Sequence, residues 1–246
     1  MTKQNRFELS STALHIIAMV LMLCDHLWAT VMGQYEWLTC IGRIAFPIFA
    51  FMVAEGYAHT SDVKKYAKRM FVFALISEIP FNLMVSTSPF YPIHQNVMWT
   101  LLMGLGAIHL LETTRKKGKW WLTAIVAAVT LAVAYLLGYI TFVDYYGAGI
   151  ITIVVFYVFR KRTWYNFVSQ AILLYWINTE LLGGLYYPVQ IFGVEFELIQ
   201  QSLAVLALIP IWLYKGRQGY TSKTLRRIFY WFYPVHMLIL AILMML

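Results

Sequence analysis

Apolar residues run through this chain in long blocks, and most polar ones collect in the short stretches between them. A helix rises about 1.5 Å per residue, so roughly 20 apolar residues cross a hydrocarbon core of about 30 Å. The blocks predict spans at 12–32, 38–58, 66–86, 97–111, 120–140, 147–159, 165–181, 198–214 and 229–246. The fourth and sixth are short, as a tilted or re-entrant segment would be. Within each block the apolar character is uniform, which excludes the alternation of a membrane barrel. The expected fold is all-α: a polytopic membrane protein of about nine transmembrane helices, in one domain over 1–246 with no soluble domain beside it. The first block follows Lys3 and Arg6, as a signal peptide would. It is too long for one and lacks a small-residue cleavage site, so it is expected to stay in the mature protein.

Composition agrees. Hydrophobic residues make up 61% and charged ones 12%, against about 25% charged in soluble domains. Mean hydropathy is +0.67. The formal charge of +8 would suit nucleic acid, but its placement points elsewhere. Of the 19 Lys and Arg residues, 18 fall before the first span or after the second, fourth, sixth and eighth. The other connections carry Glu36, Asp144, Glu195 and Glu197 instead. The positive-inside rule then puts the N-terminus in the cytoplasm and the C-terminus outside. The basic excess reads as topology and lipid contact, not as a nucleic-acid surface. Cys24 and Cys40 form no disulfide framework; both lie near one membrane face, and their pairing stays open.

The remaining cation, Arg43, lies inside the second span. The first span carries Asp25-His26, and ionisable groups at that depth are costly enough to be functional candidates. A short loop makes these spans antiparallel neighbours, so Asp25, His26 and Arg43 can meet. The third span adds Glu78 beside Pro80, and the loop after it delivers His94-Gln95-Asn96. Each has a plain structural alternative. Asp25–Arg43 can be an ion pair fixing the first hairpin, and His94 a solvated loop residue. Glu78 can satisfy backbone freed by Pro80, and Gln95 or Asn96 can cap the fourth span. One ion pair does not require two more acids or imidazoles at the same depth, which favours a polar reaction or binding cavity in the outer half of the membrane. A looser group, Glu55, His236 and His15, lies toward the cytoplasm. His15 and His26, eleven residues apart, share one helix face. Together they suggest a substrate passage from the inner surface, although His15 alone reads better as a headgroup-level residue.

Leu14-His15-Ile16-Ile17-Ala18 through Asp25-His26, Ile41-Gly42-Arg43-Ile44-Ala45-Phe46-Pro47-Ile48-Phe49 and Glu55-Gly56-Tyr57 resemble the TraX family. So do Ser77-Glu78-Ile79-Pro80-Phe81, His94-Gln95-Asn96 with Thr100-Leu101, and Phe232-Tyr233-Pro234-Val235-His236. The likeness is dense over 12–105, returns in the last span, and is thin between. It implies a bacterial plasma-membrane acetyltransferase, the founding member being associated with N-terminal acetylation of pilin subunits. A more distant likeness to the transmembrane acyltransferase superfamily rests on a cation and a histidine with ten residues between them, which falls on His15 and His26. Acetyl-CoA is then the implied donor, and an acceptor peptide or glycan at the outer face the partner.

Acyl transfer to an amine needs a base and donors for the developing oxyanion. His26, oriented by Asp25 or Glu78, is the expected base, with His94 second. Arg43, Gln95 and Asn96 are candidate oxyanion donors or substrate contacts. Lys64, Lys65 and Arg69 are candidate partners for the CoA phosphates. The alternative is a proton-coupled small-solute transporter, which also places Asp, Glu and His inside helices but should show internal symmetry. No metal-ligand spacing appears, and the oligomeric state, homo-oligomer included, is left open.

Overall fold

The computed structural model describes residues 8–191 and 193–246. Lys3 and Arg6 lie outside them. The described residues form ten α-helices: α1 Ser11–Ala29, α2 Trp37–Gly42, α3 Ala45–His59, α4 Val63–Ser86, α5 Val97–Arg115, α6 Trp120–Ile140, α7 Tyr146–Val158, α8 Trp164–Trp176, α9 Leu208–Leu213 and α10 Lys223–Met245. Among the described residues, α1, α2 with α3, α4, α5, α6 and α10 give six stretches long and apolar enough to cross a membrane. The chain is a multi-pass, all-α membrane protein. The other three expected spans are shorter or irregular. α7 has 13 residues; α8 passes into a π-helical turn at Ile177–Leu182; Gln200–Ala207 is a 3₁₀ helix leading into α9. The fourth span is not short, because α5 continues through Glu112 to Arg115.

Between α8 and α9 the chain forms a hairpin where a loop was expected. β1 (Tyr186–Ile191) pairs antiparallel with β2 (Val194–Ile199), Tyr186 facing Ile199. Gly193 takes φ +82 in the turn, a conformation that glycine adopts without a Cβ penalty.

The second expected span breaks between α2 and α3 at Arg43-Ile44. Pro47, in the first turn of α3, has no N–H to give the carbonyl of Arg43 and its ring crowds that carbonyl, so α2 cannot run on. α1 ends at Ala29, and Thr30 closes it by donating from Oγ1 to the His26 carbonyl at 2.6 Å. His26 is therefore nearer the helix end than 12–32 implied.

The chain folds as two compact units. One takes the described residues through Phe49 with Leu174–Met244 and Leu246; the other takes Ala50–Leu173 and Met245. In the first, Gly42 lets α2 close on α1, since a Cβ there would collide with the Asp25 side chain. The loop before α10 is tied to the start of α1: Thr12 Oγ1 donates to the carbonyls of Gln218 (3.0 Å) and Tyr220 (2.8 Å). In the second, α5 packs on α4, α6 and α7. Gly104 admits Ile153, and Gly138 meets the backbone of Gly147. Phe156, Ile108, Leu105 and Ile153 are fully buried there.

Candidate functional site

In the first unit, His26 and His236 are hydrogen-bonded, Nδ1 to Nε2 at 2.7 Å, with their rings stacked at 4.9 Å and 14°. His236 Nδ1 lies 2.7 Å from the Phe232 carbonyl. A carbonyl only accepts, so that nitrogen carries a proton. In a neutral ring Nε2 is then the acceptor, and His26 Nδ1–H must be the donor. The network thus assigns His26 the tautomer whose unprotonated nitrogen is Nε2. His236 stands at the fourteenth position of α10, because Ser222 caps the helix at Leu225 and starts it earlier than expected. It bonds His26 directly instead of belonging to a separate cytoplasmic group.

Asp25 has other partners. Its Oδ1 accepts from Thr39 Oγ1 at 2.8 Å and from the Arg43 guanidinium. Arg43 Nε also donates to the Thr39 carbonyl at 3.4 Å. Both side chains are mostly buried, at 15% and 16% exposure. The ion pair that fixes the first hairpin is present, and the ring nitrogen Nδ1 of His26 is held by an imidazole, not by this carboxylate. His15, a helix length away on α1, donates from Nδ1 to the Ser11 carbonyl at 3.0 Å and stacks on Phe229 at 4.9 Å.

The second unit holds the other candidates. Glu78 Oε2 accepts from Asn96 Nδ2 and from Trp99 Nε1 at 2.9 Å. Asn96 Nδ2 also donates to the Ala74 carbonyl at 2.9 Å, while Oδ1 accepts from Met98 N at 3.0 Å and caps α5. Both amide hydrogens of Asn96 are committed, so it is a clamp and not an oxyanion donor. Gln95 Nε2 donates to the Pro92 carbonyl at 2.9 Å, and its backbone bridges Phe142 and Asp144. His94 Nε2 lies 3.5 Å from Asp144 Oδ1, and its ring meets Phe81 edge-on. The Asp144 carboxylate raises the His94 pKa against the opposing effect of burial. Ser77 Oγ, Glu78 Oε1 and Asn82 Oδ1 are buried without a hydrogen-bond partner. Glu55 pairs with His59 Nε2 at 3.1 Å.

Of the cations expected to meet phosphate, Lys65 and Arg69 line a groove of about 330 Å³ together with Lys68, Val72 and Phe73. Lys64 is exposed beside it. Asp62 caps α4, and the Lys65 backbone N–H at 3.0 Å holds its carboxyl below the usual range. Lys65 Nζ lies 3.3 Å from the same carboxylate, and the Arg69 guanidinium sits 5.6 Å over the Tyr66 ring.

Sequence reasoning missed Thr39, Trp99 and Asp144 as partners. It also missed Glu112, which accepts from Tyr157 Oη at 2.6 Å and pairs with Arg115 at 2.9 Å. The signal for Glu112 was present: an acid directly after Leu110-Leu111, one helical turn before a basic run.

The chain is 27% identical to a protein of Dichelobacter nodosus named "Probable fimbrial assembly protein FimC, serogroup H1", over 95% of each chain. No solved structure matches it. The model of the family described as TraX protein matches residues 10–244, and the chain belongs to that family.

Proposed function

We propose that this protein is a membrane-embedded acetyltransferase. It moves an acetyl group from cytoplasmic acetyl-CoA to an amine, or less readily a hydroxyl, of an acceptor at the outer side of the bacterial plasma membrane. A peptide N-terminus or an amino sugar fits that acceptor. The observation that carries the reading is the His26–His236 pair. Two imidazoles bonded nitrogen to nitrogen within apolar helices form a proton acceptor with a second ring behind it. Membership of the TraX family and the fimbrial name of the Dichelobacter relative support an envelope substrate.

The chemistry follows from the tautomer. The acceptor amine gives its proton to His26 Nε2 as its nitrogen attacks the thioester carbonyl carbon. The new imidazolium keeps its Nδ1–H on His236, which spreads the charge. The carbonyl oxygen becomes an oxyanion, for which Arg43, held in place by Asp25 and Thr39, is the cationic stabiliser. Collapse breaks the C–S bond, and the CoA thiolate takes the proton back from His26. The donor's phosphates are drawn to the basic connections, with Lys64, Lys65 and Arg69 the first candidates.

The test is release of free CoA thiol from acetyl-CoA by the purified protein in detergent, with a peptide amine as acceptor. His26→Gln is expected to lower the rate by roughly 10²- to 10⁴-fold, the usual contribution of a general base. Wild-type protein that releases no thiol with peptide, amino-sugar or glycan acceptors would overturn the reading. The unpartnered carboxylate oxygen of Glu78 favours a second one, proton-coupled transport of a small solute. Solute flux into liposomes without thiol release would select it.

A further inference from the structure

We propose that one face of α4 binds an anionic phospholipid, its phosphate among Lys65, Lys68 and Arg69 and an acyl chain along Val72, Leu75 and Ile79. This site does not depend on the acetyl-transfer reading but competes with it for Lys65 and Arg69: where a lipid phosphate holds them, the CoA phosphates fall to the other basic connections. At 100° per residue the six positions fall within about 120° of one another, a single stripe. Its first two turns are cationic and the rest is apolar. Val72, Leu75 and Ile79 are 40% to 57% exposed, so the described residues leave the apolar part of the stripe open to lipid. The groove of about 330 Å³ lies at the charged end.

Length and charge order select the occupant. From Arg69 to Ile79 is ten residues, about 15 Å, which is one leaflet of a core of about 30 Å. A ligand that fits carries its anion at one end and a hydrocarbon chain of leaflet length below it. Acetyl-CoA carries phosphates but no chain to cover the apolar stripe, and a groove this size is at the lower limit for ligand sites. Asp62 opposes Lys65 alone, which leaves a net positive charge for a phosphate diester.

Native mass spectrometry of the detergent-purified protein, offered phosphatidylglycerol or phosphatidylcholine of the same chain length, tests this. The wild type is expected to retain one phosphatidylglycerol with a preference on the order of 100-fold, about fivefold per cation near the membrane surface. Arg69→Gln should lose about fivefold of that by the same measure. Lys65→Gln/Lys68→Gln/Arg69→Gln should fall to the phosphatidylcholine level. Lys116→Gln/Lys117→Gln/Lys119→Gln, on another basic connection, should behave as wild type. Equal retention by the α4 triple variant overturns the proposal, as does equal loss in the other triple variant, which would mean diffuse charge. Displacement of the lipid by free CoA also overturns it, and gives the groove to the acyl donor.

Discussion

His236 Nε2 accepts from His26 Nδ1–H at 2.7 Å, across 210 positions of sequence. With both rings neutral, the contact makes Nε2 the basic nitrogen of His26, because the Phe232 carbonyl takes the proton of His236 Nδ1. His236 is a positioning residue for the proposed base. ¹⁵N spectra of histidine-labelled protein in micelles should show His26 protonated at Nδ1. His236→Leu removes the acceptor and should mix the two tautomers. It should also lower kcat about 10- to 100-fold, as loss of an outer-shell partner does for metal-bound histidines. His236→Gln keeps an acceptor oxygen and should recover part of both signals. An unchanged His26 spectrum in His236→Leu would show that the bond does not set the tautomer.

Arg43→Ala leaves the Asp25 carboxylate largely buried without its cation and should destabilise the protein by about 3–5 kcal/mol. Asp25→Asn/Arg43→Gln removes both charges and should recover most of that. Thermal unfolding in detergent of the single and double variants measures the difference. A double variant as unstable as Arg43→Ala would mean that the charge pair is not what holds the hairpin.

Gly42→Ala should cost about 1–3 kcal/mol, the usual penalty of overpacking, because the new methyl group meets the Asp25 side chain. Gly106→Ala, where a Cβ meets nothing, is the control and should be neutral or slightly stabilising. Equal melting temperatures for the two variants would contradict the close approach of α2 to α1.

Six of the nine expected spans were legible because twenty apolar residues in a row have few other solutions, and the Asp25–Arg43 pair because a short loop forces two neighbouring helices together. Pro47 also announced the α2–α3 break in retrospect, through the carbonyl it leaves without a donor. The hairpin was legible too: Val194, Phe196 and Leu198 alternate with Glu195 and Glu197. A reading tuned to long apolar blocks passes over a period of two. The His26–His236 bond left no local trace, since periodicity places a residue on a face and cannot say which distant helix meets it. The role expected of Asn96 as a donor failed for the opposite reason. Its amide was recognised, but the carbonyl of Ala74 and the carboxylate of Glu78 that occupy it lie on another helix.

The Asp144 carboxylate raises the His94 pKa, so the folded protein holds that proton more tightly than the unfolded chain. The resulting stabilisation is complete below the ordinary value of 6.5 and declines as pH rises past it through the raised native value. Melting temperature should therefore fall over that window, and Asp144→Asn should flatten the fall. A wild-type profile already flat there would contradict the pairing of His94 with Asp144.

The central claim is that His26 receives a proton during acetyl transfer, and the direct measurement is thiol release from acetyl-CoA as a function of pH. The account predicts a rate that rises with pH through one imidazole titration, present in the wild type and in Lys116→Gln, and absent in His26→Gln at every pH. Thiol release by His26→Gln at the wild-type rate, with the same pH profile, would contradict it.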